Sequence, residues 1–216
     1  MQSPDPNGFP TRTIADYAAQ IASASPTPGG GSVAASVGAF ACALGEMVGN
    51  VTLSGTSQPE NPNRLREAVE TGSQLREKLL ELAAADERAY GGYQVAWAMP
   101  KATEDEKLAR QEALERALTE STTVPMEIAR TTLDVLDLLL VAAEAGTTHA
   151  RSDVSTGAVL AEAAIRGALV TAGVNVAMTK DDSARERYRS EIDSLTSRMT
   201  ASVHGVLDAV ERRSRA

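Results

Sequence analysis

The feature that most constrains the fold is one continuous apolar stripe between residues 63 and 99. Apolar and small side chains recur there at alternating spacings of three and four, which places them on one face of an α-helix: Leu65, Val69, Gly72, Leu75, Leu79, Leu82, Tyr90, Tyr93 and Trp97. Pro100 would end this helix, which would be about 54 Å long at about 1.5 Å per residue. We expect it to be the longest element. Because other elements must cover such a stripe, it predicts a bundle of long helices.

The rest of the chain has the same helical spacing and no convincing strand. Further helices are predicted over residues 13–25, 32–53, 103–146 and 152–179, and from residue 182 onward. Thr103 and Glu106 can form a capping box at the start of one of them, and Pro125 should kink or break that same helix. Ser152 or Asp153 is expected to cap the next one. The predicted fold class is therefore all-α.

Composition narrows the class of protein. The chain has 216 residues and a formal net charge of −8, so binding to nucleic acid is not expected. We expect a flexible, polar and proline-rich arm over residues 1–12, followed by a single domain over residues 13–216. The single cysteine, Cys42, suits a cytoplasmic protein. The two histidines, His149 and His204, lie too far apart in the sequence to indicate a metal site.

Residues 33–53 are long and apolar enough to raise the question of a membrane span. Much of this segment is alanine and glycine, which gain little from contact with lipid, and no lysine or arginine flanks it. We therefore expect a helix buried on all sides in a soluble bundle, without membrane association. Its small residues would let another helix approach closely, in a bundle or at a dimer contact: Ala34, Gly38, Ala41, Cys42, Gly45 and Gly49.

Asp86 interrupts the apolar stripe of residues 63–99. A buried carboxyl group has a raised pKa and can exchange a proton nearer to neutral pH, which suits general acid–base catalysis. A salt bridge between helices or a cap contact would explain the same residue, and periodicity alone leaves both explanations open. Glu46, inside the apolar segment, is better explained by an ion pair or hydrogen bond with another helix.

A second unusual feature is the run Gly29-Gly30-Gly31 before the predicted second helix. Three glycines lose much conformational entropy on folding, so a simple turn explains them poorly. The first N–H groups of a helix lack partners, and glycines there let a ligand contact the bare backbone. No Gly-Lys-Ser/Thr follows, and no strand precedes, so neither a Walker loop nor a dinucleotide fingerprint is present. We expect a ligand or a close backbone neighbour over these glycines.

Longer blocks of the sequence resemble a known family. The stretch "PTPGGGSVAASVGAFACALGEMV" is similar to the opening of the cyclodeaminase/cyclohydrolase family. That family comprises the C-terminal domain of formiminotransferase-cyclodeaminase and free-standing bacterial methenyltetrahydrofolate cyclohydrolases. The resemblance continues through "DERAYGGYQVAWAMPKATEDEKLARQEAL", "VPMEIA", "RSD" and "GVNV" in the family's order, and covers essentially residues 13–182.

This resemblance implies an all-helical homodimer with a folate site. It implies that Asp86 is the catalytic residue, and that no metal and no cofactor is needed beyond the tetrahydrofolate derivative that serves as substrate. The binding residues that it implies are Gly29, Gly30, Gly31, Ser32, Lys101, Arg110, Ser152, Asp153 and Asn175.

The reaction expected from the resemblance is hydrolysis of 5,10-methenyltetrahydrofolate to 10-formyltetrahydrofolate. The reactive carbon of that substrate is a cationic amidinium, so a carboxylate could attract it, take a proton from water and return the proton to the departing nitrogen. We favour hydrolysis because 216 residues leave no room for the transferase domain that accompanies the deaminase.

Three alternatives stay open. The first is cyclisation of formiminotetrahydrofolate with release of ammonia. The second is a divergent member with a non-folate substrate or only a ligand-binding role, suggested by departures from the family pattern at Thr147 and Thr179 and by the lack of Lys or Arg between Val51 and Glu60. The third is a purely structural helical dimer, against which Asp86 and the glycines argue.

Overall fold

The computed structural model describes residues 12–56 and 59–215, and every regular element in those ranges is helical. In chain order these are α1 (Ile14–Ile21), α2 (Gly30–Ser54), α3 (Pro62–Trp97), α4 (Glu104–Ala145), a 3-10 turn (Thr148–Ala150), α5 (Arg151–Met178) and α6 (Asp182–Arg215). The predicted all-α fold is confirmed. The arm expected over residues 1–12 lies outside the described residues, apart from Arg12.

Three helices begin at residues whose side chains cap them. Thr13 and Asn61 cap α1 and α3 by accepting backbone N–H groups. At α4, Thr103 Oγ1 accepts the N–H of Glu106 at 3.2 Å, and the carboxylate of Glu106 accepts the N–H of Thr103 at 3.0 Å. This reciprocal pair confirms the predicted capping box and satisfies two N–H groups that a helix start leaves unpaired.

The prediction that residues 63–99 form the longest helix is wrong. Helix α4 has 42 residues and α3 has 36, because Pro125 lies inside α4 without breaking it. The following residues Met126, Ile128 and Ala129 are fully buried. Tertiary packing on both sides of the proline therefore outweighs the one backbone hydrogen bond that it removes.

The start of α5 also differs from the prediction. Neither Ser152 nor Asp153 caps this helix, since α5 begins at Arg151 and follows directly on the 3-10 turn. Both residues lie in the first turn instead. The Asp153 carboxylate is favourable there because it faces the positive end of the helix dipole.

Helix α2 lies at the centre of the bundle and packs against α3, α4 and α5, while α6 covers α4 and α5. Its glycines allow these close approaches. A Cβ atom at Gly38 would lie 2.8 Å from Thr132 Oγ1, and one at Gly49 would lie 2.3 Å from Val69 Cγ2. The close packing predicted for the small residues of α2 is therefore confirmed within one chain.

Two segments, Gly30–Ser54 and Thr148–Met178, are long and apolar enough to cross a membrane by length and composition. The apolar composition of α2 is explained by its position in the core of the bundle. Thirteen of its residues are buried among the neighbouring helices, as the sequence predicts for a core helix.

The buried acid of α2 has the partner that the sequence favours. Arg76 of α3 donates from Nε to Glu46 Oε1 at 2.8 Å. Next to this pair, Cys42 Sγ donates to the carbonyl of Gly72 at 3.1 Å. Burial, followed by the nearby Glu46, raises the pKa of Cys42 to about 12. Cys42 is therefore an unreactive core residue.

Candidate active site

The apolar stripe of α3 changes its role along the helix. Leu65 and Leu79 are buried in the core, whereas Tyr90 and Trp97 are 41% and 62% exposed. Asp86 lies between the two parts and is half-buried. The far end of the stripe is therefore a wall beside the core rather than part of it.

Asp86 contacts the triple glycine directly. Its Oδ2 accepts the backbone N–H of Ser32 at 2.9 Å, one of the first N–H groups of α2, which have no partner within the helix. A Cβ atom at Gly31 would lie only 2.1 Å from Asp86 Oδ1, whereas one at Gly30 would meet Thr171 Oγ1 at 3.5 Å. The close neighbour at Gly31 is thus the Asp86 side chain and not the backbone neighbour expected from the sequence, and Gly31 is the position that requires glycine.

The surroundings of Asp86 favour its protonated form. Burial raises the pKa of Asp86 above its ordinary value, the negative charge of Glu87 adds to the increase, and the hydrogen bond from Ser32 opposes it. No Lys, Arg or His forms an ion pair with Asp86 among residues 12–56 and 59–215. The salt bridge considered from the sequence is therefore absent there, whereas the cap contact considered beside it is present, because Asp86 Oδ2 accepts the N–H of Ser32 in the first turn of α2. The carboxyl group can still exchange a proton with a ligand.

Ser32 contacts Asp86 through its backbone N–H, while the hydroxyl group of Ser32 binds Tyr17 and Glu87. Ser32 Oγ shares a 2.7 Å hydrogen bond with the Tyr17 hydroxyl and donates to Glu87 Oε1 at 3.3 Å. Arg12 binds both carboxylate oxygens of Glu87, donating from Nη1 to Oε1 at 3.2 Å and from Nη2 to Oε2 at 3.0 Å. These contacts hold α1 against the junction of α2 and α3, and Arg12 partly neutralises the charge next to Asp86.

A cavity of about 370 Å³ opens in front of Asp86. This volume is at the lower end of the range for small-molecule sites. Its wall combines bare backbone, one carboxylate, two phenol rings and one amide, from Gly29, Gly30, Gly31, Asp86, Tyr90, Tyr93 and Asn175. The structure thus brings together the catalytic candidate and four of the binding residues predicted from the sequence.

A second cavity of about 980 Å³ adjoins the first. Tyr93, Leu118 and Met178 line both cavities, so the two form one continuous cleft. Lys101 and Arg110 line the larger cavity rather than the smaller one. The residues predicted from the sequence are therefore divided between two compartments of different character.

The larger cavity has an excess of positive charge. Sequence reasoning found only Lys101 and Arg110 of its five cationic residues and missed Lys107, Lys180 and Arg187. The acidic residues on the same wall are Glu115 and Asp181. Lys180 lies in the connection between α5 and α6, and Arg187 lies in the second turn of α6. No local pattern in the sequence indicates that these residues line the cavity.

Arg110 also has a structural partner. Its Nε and Nη2 donate to the carbonyl of Trp97 at 3.2 and 3.1 Å, and its guanidinium carbon lies 4.8 Å from the centre of the Trp97 ring. Trp97 is the last residue of α3. Arg110 therefore satisfies a carbonyl that the helix end leaves unpaired.

Ser152 and Asp153 lie away from the cleft within one chain. They are in the first turn of α5, whereas Asn175 is in its last turn. At about 1.5 Å per residue, these ends are about 34 Å apart. The prediction that the three residues form one binding element is therefore not met within a single chain, because α5 is one uninterrupted helix.

The arrangement suits acid–base chemistry on a small ligand. It offers a half-buried carboxyl group with a raised pKa beside a helix N-terminus. In the described part of the chain, no group of three or more His, Cys, Asp or Glu residues is arranged to hold a metal ion. Among the residues that line the smaller cavity, Asp86 supplies the carboxyl group that can exchange a proton with a ligand.

Comparison with known proteins agrees with this geometry. Residues 13–194 match the formiminotransferase-cyclodeaminase family. The chain belongs to that family. Within it, the chain is 31% identical over 201 residues to the methenyltetrahydrofolate cyclohydrolase of Methylorubrum extorquens, covering 93% of this chain and 97% of that protein.

Other members of the formiminotransferase-cyclodeaminase family are similar as well. The formimidoyltransferase-cyclodeaminase of Sus scrofa is 31% identical over 204 residues, which are 94% of this chain and 37% of that protein. The crystal structure of the formiminotetrahydrofolate cyclodeaminase from Thermotoga maritima aligns with a TM-score of 0.83 at 28% identity, over 94% of this chain and 98% of that one. The family resemblance seen in the sequence is therefore confirmed.

Proposed function

We propose that this chain hydrolyses 5,10-methenyltetrahydrofolate to 10-formyltetrahydrofolate. The observation that carries the proposal is the Asp86 carboxylate, held by α2 at the wall of a small cavity without a cationic partner in the described ranges. The Methylorubrum extorquens relative, named as a methenyltetrahydrofolate cyclohydrolase, supports it because the similarity extends over nearly the whole of both chains.

Asp86 performs both proton transfers in this proposal. Its carboxylate stabilises the cationic amidinium and accepts a proton from the water that attacks the bridging carbon. Asp86 then donates that proton to the departing ring nitrogen as the carbon–nitrogen bond breaks. The new hydroxyl loses its proton to solvent as the formyl C=O forms. A raised pKa suits this double role, because the group must accept and release a proton in one cycle.

The two compartments of the cleft suit the two ends of a folate. The smaller cavity, with Tyr90 and Tyr93 on one side and Val170 and Val174 on the other, takes the flat ring system. The larger cavity takes the benzoyl-glutamate tail, whose carboxylates are attracted by its cationic residues: Lys101, Lys107, Arg110, Lys180 and Arg187. The lack of Lys and Arg after α2 is thereby compensated.

Cyclisation of formiminotetrahydrofolate is the second candidate function. The Thermotoga maritima structure, titled a formiminotetrahydrofolate cyclodeaminase, favours it through a TM-score of 0.83. The anilino nitrogen would then attack the formimino carbon, and Asp86 would protonate the formimino nitrogen, which leaves as ammonia when its bond to that carbon breaks. One cleft serves both reactions, because each needs one proton donor and acceptor beside the same carbon.

We further propose a cytoplasmic homodimer. Helix α5 exposes Val159, Val170 and Val174 by 55%, 68% and 60% of their surfaces, which favours cover by a second copy. In an antiparallel α5 pair, Ser152 and Asp153 of one copy would lie near the cleft of the other. Sedimentation of the pure protein at micromolar concentration tests the dimer, and a monomer there contradicts it.

The decisive experiment for the function follows the absorbance of methenyltetrahydrofolate with the pure protein, above the spontaneous rate of hydrolysis. Loss of absorbance with formation of 10-formyltetrahydrofolate supports the cyclohydrolase. In a parallel reaction, ammonia released from formiminotetrahydrofolate supports the cyclodeaminase. If neither folate reacts, the proposed function is wrong.

A further inference from the structure

Pro125 leaves one backbone carbonyl of α4 without its usual partner. In an α-helix, the N–H of residue 125 would donate to the carbonyl of Ser121, four residues earlier. Proline has no N–H, so this hydrogen bond cannot form. Asn175 of α5 replaces it, donating from Nδ2 to the carbonyl oxygen of Ser121 at 2.6 Å.

This contact determines which way the Asn175 amide faces. A carbonyl oxygen can only accept a hydrogen bond, so the NH₂ end of the amide must point at Ser121. The Oδ1 atom is then directed elsewhere. Ser121 and Asn175 both line the smaller cavity, and no hydrogen bond from the described residues reaches Asn175 Oδ1. The cavity therefore has an acceptor of defined position.

We propose that Pro125 is a positioning residue, which fixes Asn175 so that its Oδ1 accepts a hydrogen bond from an N–H group of the substrate's ring system. The identity of the ring in this inference rests on the proposed function. The arrangement of Pro125, Ser121 and Asn175 is independent of that function.

The other polar groups of the cavity make this acceptor selective. Thr171 Oγ1 already donates to the carbonyl of Gly167 at 3.1 Å. Asp86 accepts the N–H of Ser32 with Oδ2, and the proposed function assigns its carboxylate to the reacting carbon rather than to the ring edge. Asn175 Oδ1 is thus available for a ring N–H of an aminopyrimidinone-type edge. A ring that presents an acceptor at that point would leave two acceptors facing each other, which disfavours binding.

The inference also explains why a proline is tolerated inside α4. In the variant Pro125→Ala, the restored N–H competes for the Ser121 carbonyl, and the Asn175 amide loses its dedicated acceptor. Helix propensity improves at the same position. We therefore expect this variant to be folded and at least as stable as the unmodified protein, while the orientation of Asn175 is lost.

A mutant cycle tests the coupling. Titration with the stable folate 5-formyltetrahydrofolate measures Kd for the unmodified protein, Pro125→Ala, Asn175→Ala and the double variant. Pro125→Ala should weaken binding by about threefold to tenfold, the equivalent of one hydrogen bond, and should have no further effect in the Asn175→Ala background. An equal loss in both backgrounds would overturn the proposal. Thr123→Ala, an exposed change in the same turn, is the control.

A second readout does not depend on folate binding. Amide NMR identifies the Asn175 side-chain NH₂ by its disappearance in Asn175→Ala. We expect its exchange with solvent to be slow in the unmodified protein and fast in Pro125→Ala. Equal protection in both proteins would overturn the positioning role. If the NMR result is as expected but 5-formyltetrahydrofolate does not bind the unmodified protein, the proposed function fails and the positioning role stands.

Discussion

The Asp86 carboxylate accepts the backbone N–H of Ser32 at 2.9 Å, across the contact between α3 and α2. This hydrogen bond joins the two most unusual features of the sequence, the acid in the apolar stripe and the run of glycines. It orients the carboxylate at the positive end of α2. The geometry of the cleft therefore depends on how closely α2 approaches α3 at Gly31.

Substitution of Gly31 should disable the site. In Gly31→Ala, the new methyl carbon would lie 2.1 Å from the present position of Asp86 Oδ1. The carboxylate must therefore move. A displacement of this kind can reduce turnover about 100-fold. Gly30→Ala should cause a much smaller loss, because its nearest neighbour, Thr171 Oγ1, lies at 3.5 Å. Equal losses of turnover in the two variants contradict this account.

The cationic cavity should act on binding rather than on chemistry. Lys180→Ala should raise KM for methenyltetrahydrofolate by about threefold to tenfold and leave kcat near its original value, because Lys180 lines only the larger cavity. The effect should shrink at high salt. Arg166→Ala, which removes an exposed cation paired with Glu162 on α5, is the control. A fall in kcat without a change in KM is the contrary result.

The buried ion pair of α2 should contribute to stability alone. Arg76→Ala leaves the Glu46 carboxylate buried without its partner, which should lower the free energy of unfolding by about 2 kcal/mol. Arg64→Ala breaks the exposed pair with Glu144 and should cost less than about 1 kcal/mol. Denaturant unfolding measures both values. Similar losses in the two variants, or a loss of turnover per folded molecule in Arg76→Ala, contradict the prediction.

The raised pKa of Asp86 predicts the sign of a pH effect on stability. Asp86 binds its proton more tightly in the folded state than in the unfolded state, where its pKa is near 3.8. Its contribution to stability is therefore complete below that value and is lost as the pH rises through the folded pKa. Asp86→Asn does not titrate, so its Tm should rise relative to that of the unmodified protein as the pH increases above 3.8. A constant difference in Tm contradicts the raised pKa.

Local sequence patterns predicted the helices well, because helix caps and apolar spacing act over a few residues. Thr103 and Glu106 cap α4 as predicted, and the helix predicted from residue 182 onward is present as α6, with Leu195, Met199 and Val203 buried. The expected cap of α5 and the expected effect of Pro125 were exceptions. For Pro125 the reason lies outside the local sequence. The effect of Pro125 depends on the burial of α4 around it and on the Asn175 side chain of α5. A local sequence pattern indicates neither the burial nor this contact.

Local patterns predicted the site only where its residues break such a pattern, whereas Lys101, Arg110 and Asn175 came from the family resemblance. Asp86 interrupts an apolar stripe, and three glycines precede a helix, so both were found. The sequence did not indicate that Gly31 alone requires glycine, since this depends on a contact between residues 55 positions apart. Lys180 and Arg187 reach the cleft only because α6 folds back toward α4. The residues next to a lysine or arginine in the sequence do not indicate which cavity its side chain will line.

The central claim is that Asp86 transfers protons, and Asp86→Asn tests it directly. The amide keeps the shape of the carboxyl group and can still accept the N–H of Ser32, but it cannot exchange a proton. Turnover of methenyltetrahydrofolate and Tm are to be measured on one preparation. We predict a loss of turnover of about 10²–10⁴-fold with Tm unchanged or higher. A variant with lowered Tm and full turnover per folded molecule would show that Asp86 is structural and would contradict the account.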